Sequence, residues 1–218
     1  MNLILSLTLT LTLSLTLSSP VTDRNLGDQY MLMLYDILAD LPDCDAINVR
    51  RNNLTDVSMP KLIEVLINRS HITAIDLSEN KIEPLTMKAL ALYLQSSATL
   101  SKLILSDSRI NDTKLTMFLS SLESNRQSAL AELDMSRNEI GRCSRTAMLH
   151  CMDDPCVEIA AVLNPKSRIQ LKKLDLSWNM MGPSACINIG RELSVNSCLT
   201  YLDLGHNQVK IQRVKALC

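Results

Sequence analysis

Few residues in this chain are of a type and spacing that could do chemistry. Between Gly141 and Asp154 stand Cys143, His150, Cys151, Asp153 and Asp154, with Cys156 just beyond. Thiolates and an imidazole are ligands that zinc accepts. The spacing C-x6-H-C-x4-C lacks paired C-x2-C hooks, so the segment reads as a loop or extra helical turn, and no metal site is expected. His71, His150 and His206 are scattered, and no nucleophile–base–acid set, glycine-rich phosphate loop or HExxH is present. Five glycines in 218 residues leave little material for a loop that cradles a cofactor, and none is expected. What remains is equipment for recognition. It comprises the single tryptophan, Trp178, and carboxylates recurring at Asp134, Asp175 and Asp203.

The elements that position these residues are copies of one unit. Six segments follow LxxLxLxxNxL: Cys44–Leu54, Ile72–Ile82, Leu100–Ile110, Leu130–Ile140, Leu171–Met181 and Leu199–Val209. The asparagine slot falls at Asn52, Asn80, Ser108, Asn138, Asn179 and Asn207, at spacings of 28, 28, 30, 41 and 28. A period in this range marks a stacked-repeat architecture. Within LxxLxL the last two apolar residues alternate as a strand requires. The asparagine amide then bonds backbone groups where the chain leaves the strand, and stacked copies make a ladder. Ser108 should be its weakest rung.

After the asparagine the period changes. Leu62 and Leu66, Leu90 and Leu94, Phe118 and Leu122, and Ile189 and Leu193 stand four apart, which is helical spacing. Pro60 and Pro84 fall where a helix begins and no amide donor is missed. The fourth repeat is about eleven residues longer. Its core slots are Ile159 and Leu163, or, in another alignment, Met148 and Met152. Strand, turn, helix, turn, repeated, gives an α/β solenoid. Its parallel sheet is concave and its helices convex, because helices are wider than strands are spaced.

The motif and period resemble leucine-rich repeats of the ribonuclease-inhibitor-like type, most closely across Leu171–Val209, with LKKLDLSWNMMG and LTYLDLGHN. The resemblance covers roughly residues 44–218 and implies a horseshoe that binds proteins on its concave face. Ran GTPase-activating proteins share this repeat class, and there an arginine before the ladder asparagine can act on a phosphoryl-transfer transition state. Arg137 in SRNEIG has that phase, but the surrounding pattern is absent.

Two rows of side chains should line the concave face. One is Asn48, Asp76, Ile104, Asp134, Asp175 and Asp203. The other, just before the ladder, is Arg51, Glu79, Asp107, Arg137, Trp178 and His206. Such rows vary while core slots stay apolar, so recognition is written there. Trp178, Asp175, Asp203, Tyr201, His206, Arg137 and Asp134 form the expected hot spot. The aspartates read either as an acidic strip for a basic partner or as ordinary solvated strand positions. Trp178 reads either as an interface anchor or as packing over its neighbours.

Outside the repeats, leucine occupies every odd position from Leu3 to Leu17, and no Lys or Arg precedes Arg24. Residues 1–19 therefore read as a low-complexity leader or a signal peptide. The stretch is too short and threonine-rich for a comfortable membrane span. Residues 20–43 should cover the first repeat, with a helix over Asp28–Leu41 capped by Asp28. Cys218 falls in a mid-helix slot of the sixth repeat, which points to a fragment of a longer horseshoe. A net charge of -1 provides no footprint for nucleic acid. Seven cysteines, four of them in apolar slots (Cys44, Cys156, Cys186, Cys218), read as core filler in a reduced, cytoplasmic protein. Sequons at Asn53, Asn68 and Asn111 matter only for a secreted chain. The combined expectation is a non-enzymatic module gripping a protein partner, with a small-GTPase regulator or an extracellular recognition domain as alternatives.

Overall fold

The computed structural model describes residues 26–32, 45–67, 69–141 and 155–208. The leader, most of the expected capping helix, Asn68, Met148, Met152, Cys143, His150, Cys151, Asp153, Asp154 and residues 209–218 lie outside the described residues.

Each repeat contributes a three-residue strand: β1 (Ala46–Asn48), β2 (Ala74–Asp76), β3 (Lys102–Ile104), β4 (Glu132–Asp134), β5 (Lys173–Asp175) and β6 (Tyr201–Asp203). They form one parallel sheet in sequence order. The register aligns Ile47, Ile75, Leu103, Leu133, Leu174 and Leu202 in a row. Two residues on, Leu77, Leu105, Met135 and Leu176 are also buried, because alternate strand residues share a face. They lie one step beyond the strands, and their amides continue the ladder to Ile104 O, Asp134 O, Asp175 O and Asp203 O at 2.8–3.0 Å.

The helices are α1 (Met59–Ile67), α2 (Pro84–Ser96), α3 (Asp112–Ser124), α4 (Pro155–Leu163) and α5 (Pro183–Leu193). Each packs on its neighbour in order. Proline in the first turn of α1, α2, α4 and α5 suits a position whose amide has no helical acceptor. Leu62, Leu66, Leu90, Leu94, Phe118, Leu122, Ile159, Leu163 and Ile189 are all buried. Ile159 and Leu163 thus hold the core slots of the fourth repeat. Leu193 is only partly buried against the core. Gly141 closes the fourth turn at φ +87, where an added Cβ would lie 2.7 Å from the Met181 backbone. Only glycine fits there.

The asparagine ladder is present. Asn80 Oδ1 accepts from the amides of Asn52 and Leu54 at 3.1 and 2.9 Å, while its Nδ2 donates to Val49 O, Leu77 O and Ser78 O. Asn138 repeats the arrangement with Ser108, Ile110, Leu105, Met135 and Ser136. Asn179 and Asn207 carry it on to Ile140 and Met181. With five bonds each at Asn80 and Asn138 and four each at Asn179 and Asn207, these centres satisfy turn backbone that burial cuts off from water. Ser108 is too short to span the gap. Its hydroxyl donates to Ser106 O, and Ile82 N turns instead to the Ser108 carbonyl at 3.2 Å.

Residues 27–32 are helical, and Asp28 does not cap its own helix as expected. Its carboxylate reaches forward to the amide and hydroxyl of Thr55 and the hydroxyl of Ser58, at 2.6–2.9 Å. Burial alone would raise this carboxyl, but the bonds from Ser58 and Thr55 outweigh it and hold it below the ordinary value. Asp56 does the same for Leu85 and Thr86, and Asp112 for Gly141 N. Positions 28, 56 and 112 share one repeat phase. The opening helix therefore docks in register, with Leu26 N facing Asn52 Oδ1 at 3.5 Å.

Candidate protein-binding face

Three rows, not two, compose the open side of the sheet. The first strand position carries Lys102, Glu132, Lys173 and Tyr201 across β3 to β6. Glu132 bridges both lysines, at 3.5 Å to Lys102 and 2.8 Å to Lys173. The hydrogen bond from Lys173, with the charges of both lysines, holds the Glu132 carboxyl below its ordinary value. Of this row the expected hot spot named only Tyr201, although the repeat phase places Lys102, Glu132 and Lys173 beside the aspartates as well.

The aspartate row lies next to it. Each carboxylate accepts from the amide two residues on: Asp76 from Ser78, Asp134 from Ser136, Asp175 from Ser177 and Asp203 from Gly205, at 2.7–2.9 Å. These are Asx turns that close the strand exit. One oxygen of each group is therefore structural, and the negative charge remains. Among the described residues no cation pairs with Asp134, Asp175 or Asp203. Burial of Tyr201, then the charges of Asp175, Asp203 and Asp134, raise its phenol above the ordinary value. The ring is thus a neutral O–H donor beside three carboxylates. A shallow depression of about 180 Å³ lies among Lys102, Glu132, Asp134, Lys173, Asp175 and Tyr201.

The row before the ladder lies beyond the strands. Arg51, Glu79, Asp107, Arg137, Trp178 and His206 all have φ between 51° and 56°, the left-handed region. Such a conformation costs roughly 1–2 kcal/mol for a residue with a Cβ. From Arg51 to Trp178 it is held because each amide is tied to the next repeat, for example Arg137 N to Ser177 O at 2.9 Å and Trp178 N to Gly205 O at 2.8 Å. No Gly or Asn stands in the row to signal this turn in the sequence.

The turn aims three of these side chains at one another. Trp178 and His206 stack with ring centroids 3.8 Å apart and planes at 15°. The Arg137 guanidinium sits 5.0 Å from the Trp178 ring centroid. Stacked rings and an exposed cation–π contact each contribute about 0.5–1.5 kcal/mol. Trp178 still keeps 48% of its surface exposed and Tyr201 49%. At the other end, Arg50 and Arg51 converge on Glu79, at 2.8 and 3.6 Å. The expected hot-spot residues therefore do gather, on β4 to β6 and the turns that follow. Among the described residues no three potential ligands cluster to hold a metal ion, and no helix is long and apolar enough to cross a membrane.

A leucine-rich-repeat family model matches residues 195–210. No curated protein sequence matches the chain. Among solved structures, the tropomodulin C-terminal domain of Caenorhabditis elegans is 16% identical, with 75% of this chain and 91% of that chain covered and a TM-score of 0.54. Leiomodin-1 actin-binding site 2 is 15% identical over 86% of this chain and 84% of that chain, with a TM-score of 0.46. An internalin of Listeria monocytogenes is 18% identical over 83% of this chain and 53% of that chain, with a TM-score of 0.44. Together with the six parallel strands and their crossover helices, the architecture is an α/β leucine-rich-repeat solenoid.

Proposed function

We propose that the chain is a non-catalytic protein-interaction module, of the ribonuclease-inhibitor-like type, whose partner binds across the concave sheet. The observation that carries this reading is the Arg137–Trp178–His206 column. It is a preorganised, half-exposed aromatic anchor, flanked by Tyr201, Asp134, Asp175 and Asp203. Aromatics held rigidly lose little entropy on binding and dominate hot spots. The guanidinium of Arg137 is engaged by the indole, so its geometry favours a role in that column over one in phosphoryl transfer. A cytoplasmic setting belongs to the same proposal and is supported by the free thiols of Cys186, which is buried, and Cys198.

The test places a photo-crosslinking residue at Tyr201 or at the exposed helix position Glu64 and probes partners captured from native extract. Capture from Tyr201, with affinity falling at least about fivefold in Trp178→Ala, supports the concave face. Capture from Glu64 alone, with Trp178→Ala unchanged, overturns it.

A further inference from the structure

We infer that the face running from Asp134 to His206 receives an extended, arginine- or lysine-bearing segment of the partner protein. This inference rests on the concave-face reading and adds the chemistry of the occupant. Its basis is a difference in charge pairing on a single sheet. Glu79 is met by Arg50 and Arg51, and Glu132 by Lys102 and Lys173. Asp134, Asp175 and Asp203 sit side by side in register, with no cation from the described residues. Adjacent strands place such carboxylates about 4.8 Å apart, so each feels its neighbours. The second oxygen of each accepts no hydrogen bond from the described residues. Three like charges, held in fixed rotamers by their Asx turns, call for an external cation.

The surroundings narrow the choice to a protein segment. The carboxylate row runs between Tyr201 on one side and the Trp178–His206 stack on the other. Indole and phenol faces attract cations, and guanidinium stacks on them well. Arg137 already shows that geometry from within the chain. The Tyr201 phenol, whose pKa burial and then the three carboxylates raise, offers an additional donor. A nucleic acid would meet repulsion here.

The experiment titrates a fluorescent octapeptide of alternating arginine and threonine against the whole protein by anisotropy, at 50 and 200 mM salt. A glutamine–threonine peptide of the same length is the control. The arginine peptide should bind at least tenfold more tightly and weaken at higher salt. The double variant Asp175→Asn/Asp203→Asn should lose at least fivefold. Asparagine keeps the turn acceptor, as Asn48 does for Arg50 N at 3.0 Å, so folding is preserved. Glu64→Gln/Glu123→Gln removes the same charge from exposed helix positions and should change nothing. Equal binding of the two peptides, or equal loss in both double variants, overturns the inference. Trp178, the chain's one tryptophan, keeps that failure separate from failure of the concave-face reading. A neutral or acidic partner that quenches its fluorescence leaves that reading standing while the basic segment falls.

Discussion

Asn179 and Trp178 are neighbours in the chain and opposites in kind. The ladder position is buried and nearly invariant from repeat to repeat, because the gap between two turns accepts one shape with two donors and an acceptor. The position before it carries Arg, Glu, Asp, Arg, Trp and His, all in the same left-handed turn. Backbone geometry is equally fixed at both. What differs is where the side chain ends: inside, where an unmet donor costs about 1–3 kcal/mol, or outside, where water satisfies any residue. A solenoid can therefore hold its scaffold constant while its surface varies one residue away.

That contrast can be broken at several points. Asn138→Ala leaves the amides of Ser108 and Ile110 without their acceptor and should cost about 4 kcal/mol in a denaturant titration. A loss under about 1 kcal/mol would show that the ladder is ornamental. Leu176→Ala, beside the same turn but in the core, should cost roughly 2–5 kcal/mol through a cavity. Trp178→Ala should lower stability by about 1–2 kcal/mol, the worth of its stacking and of the Arg137 contact together, while the far-ultraviolet spectrum stays unchanged. Ser108→Asn should move stability the other way, by about 1 kcal/mol. It restores an acceptor for Asn80 N and Ile82 N and donors for Leu77 O and Leu105 O. A destabilised variant would mean that the third turn has closed around the smaller side chain. Asp107→Gly should be smallest, a gain of about 0.5 kcal/mol as relief of the left-handed strain is partly cancelled by glycine entropy. Any loss there would show that the strain is already absorbed.

The aspartates illustrate how one sequence feature has a local consequence and a tertiary one. LDLS and LDLG encode an Asx turn, a local event legible once the strand exit is located. The charge left over is a feature of three such turns stacked with no counter-ion among the described residues. Asp28 and Asp56 are a different case. Their shared repeat phase was visible, but their partners lie 27 to 30 residues ahead, and a local capping rule points to the wrong helix.

The sequence alone determined the solenoid. Apolar spacing of two and then four, with asparagine at a near-constant interval, dictates strand, turn and helix locally, and a unit of that size can bury its face only against another copy. It also determined most of the interior, though not which pair fills the core slots of the fourth repeat, where the structure buries Ile159 and Leu163. Tertiary structure decided who meets whom on the outside. Arg137, Trp178 and His206 stand 41 and 28 residues apart, and each lies in a backbone conformation that its own side chain does not favour. Only the hydrogen-bond register between stacked turns imposes that conformation, and register is a property of the neighbours rather than of the residue.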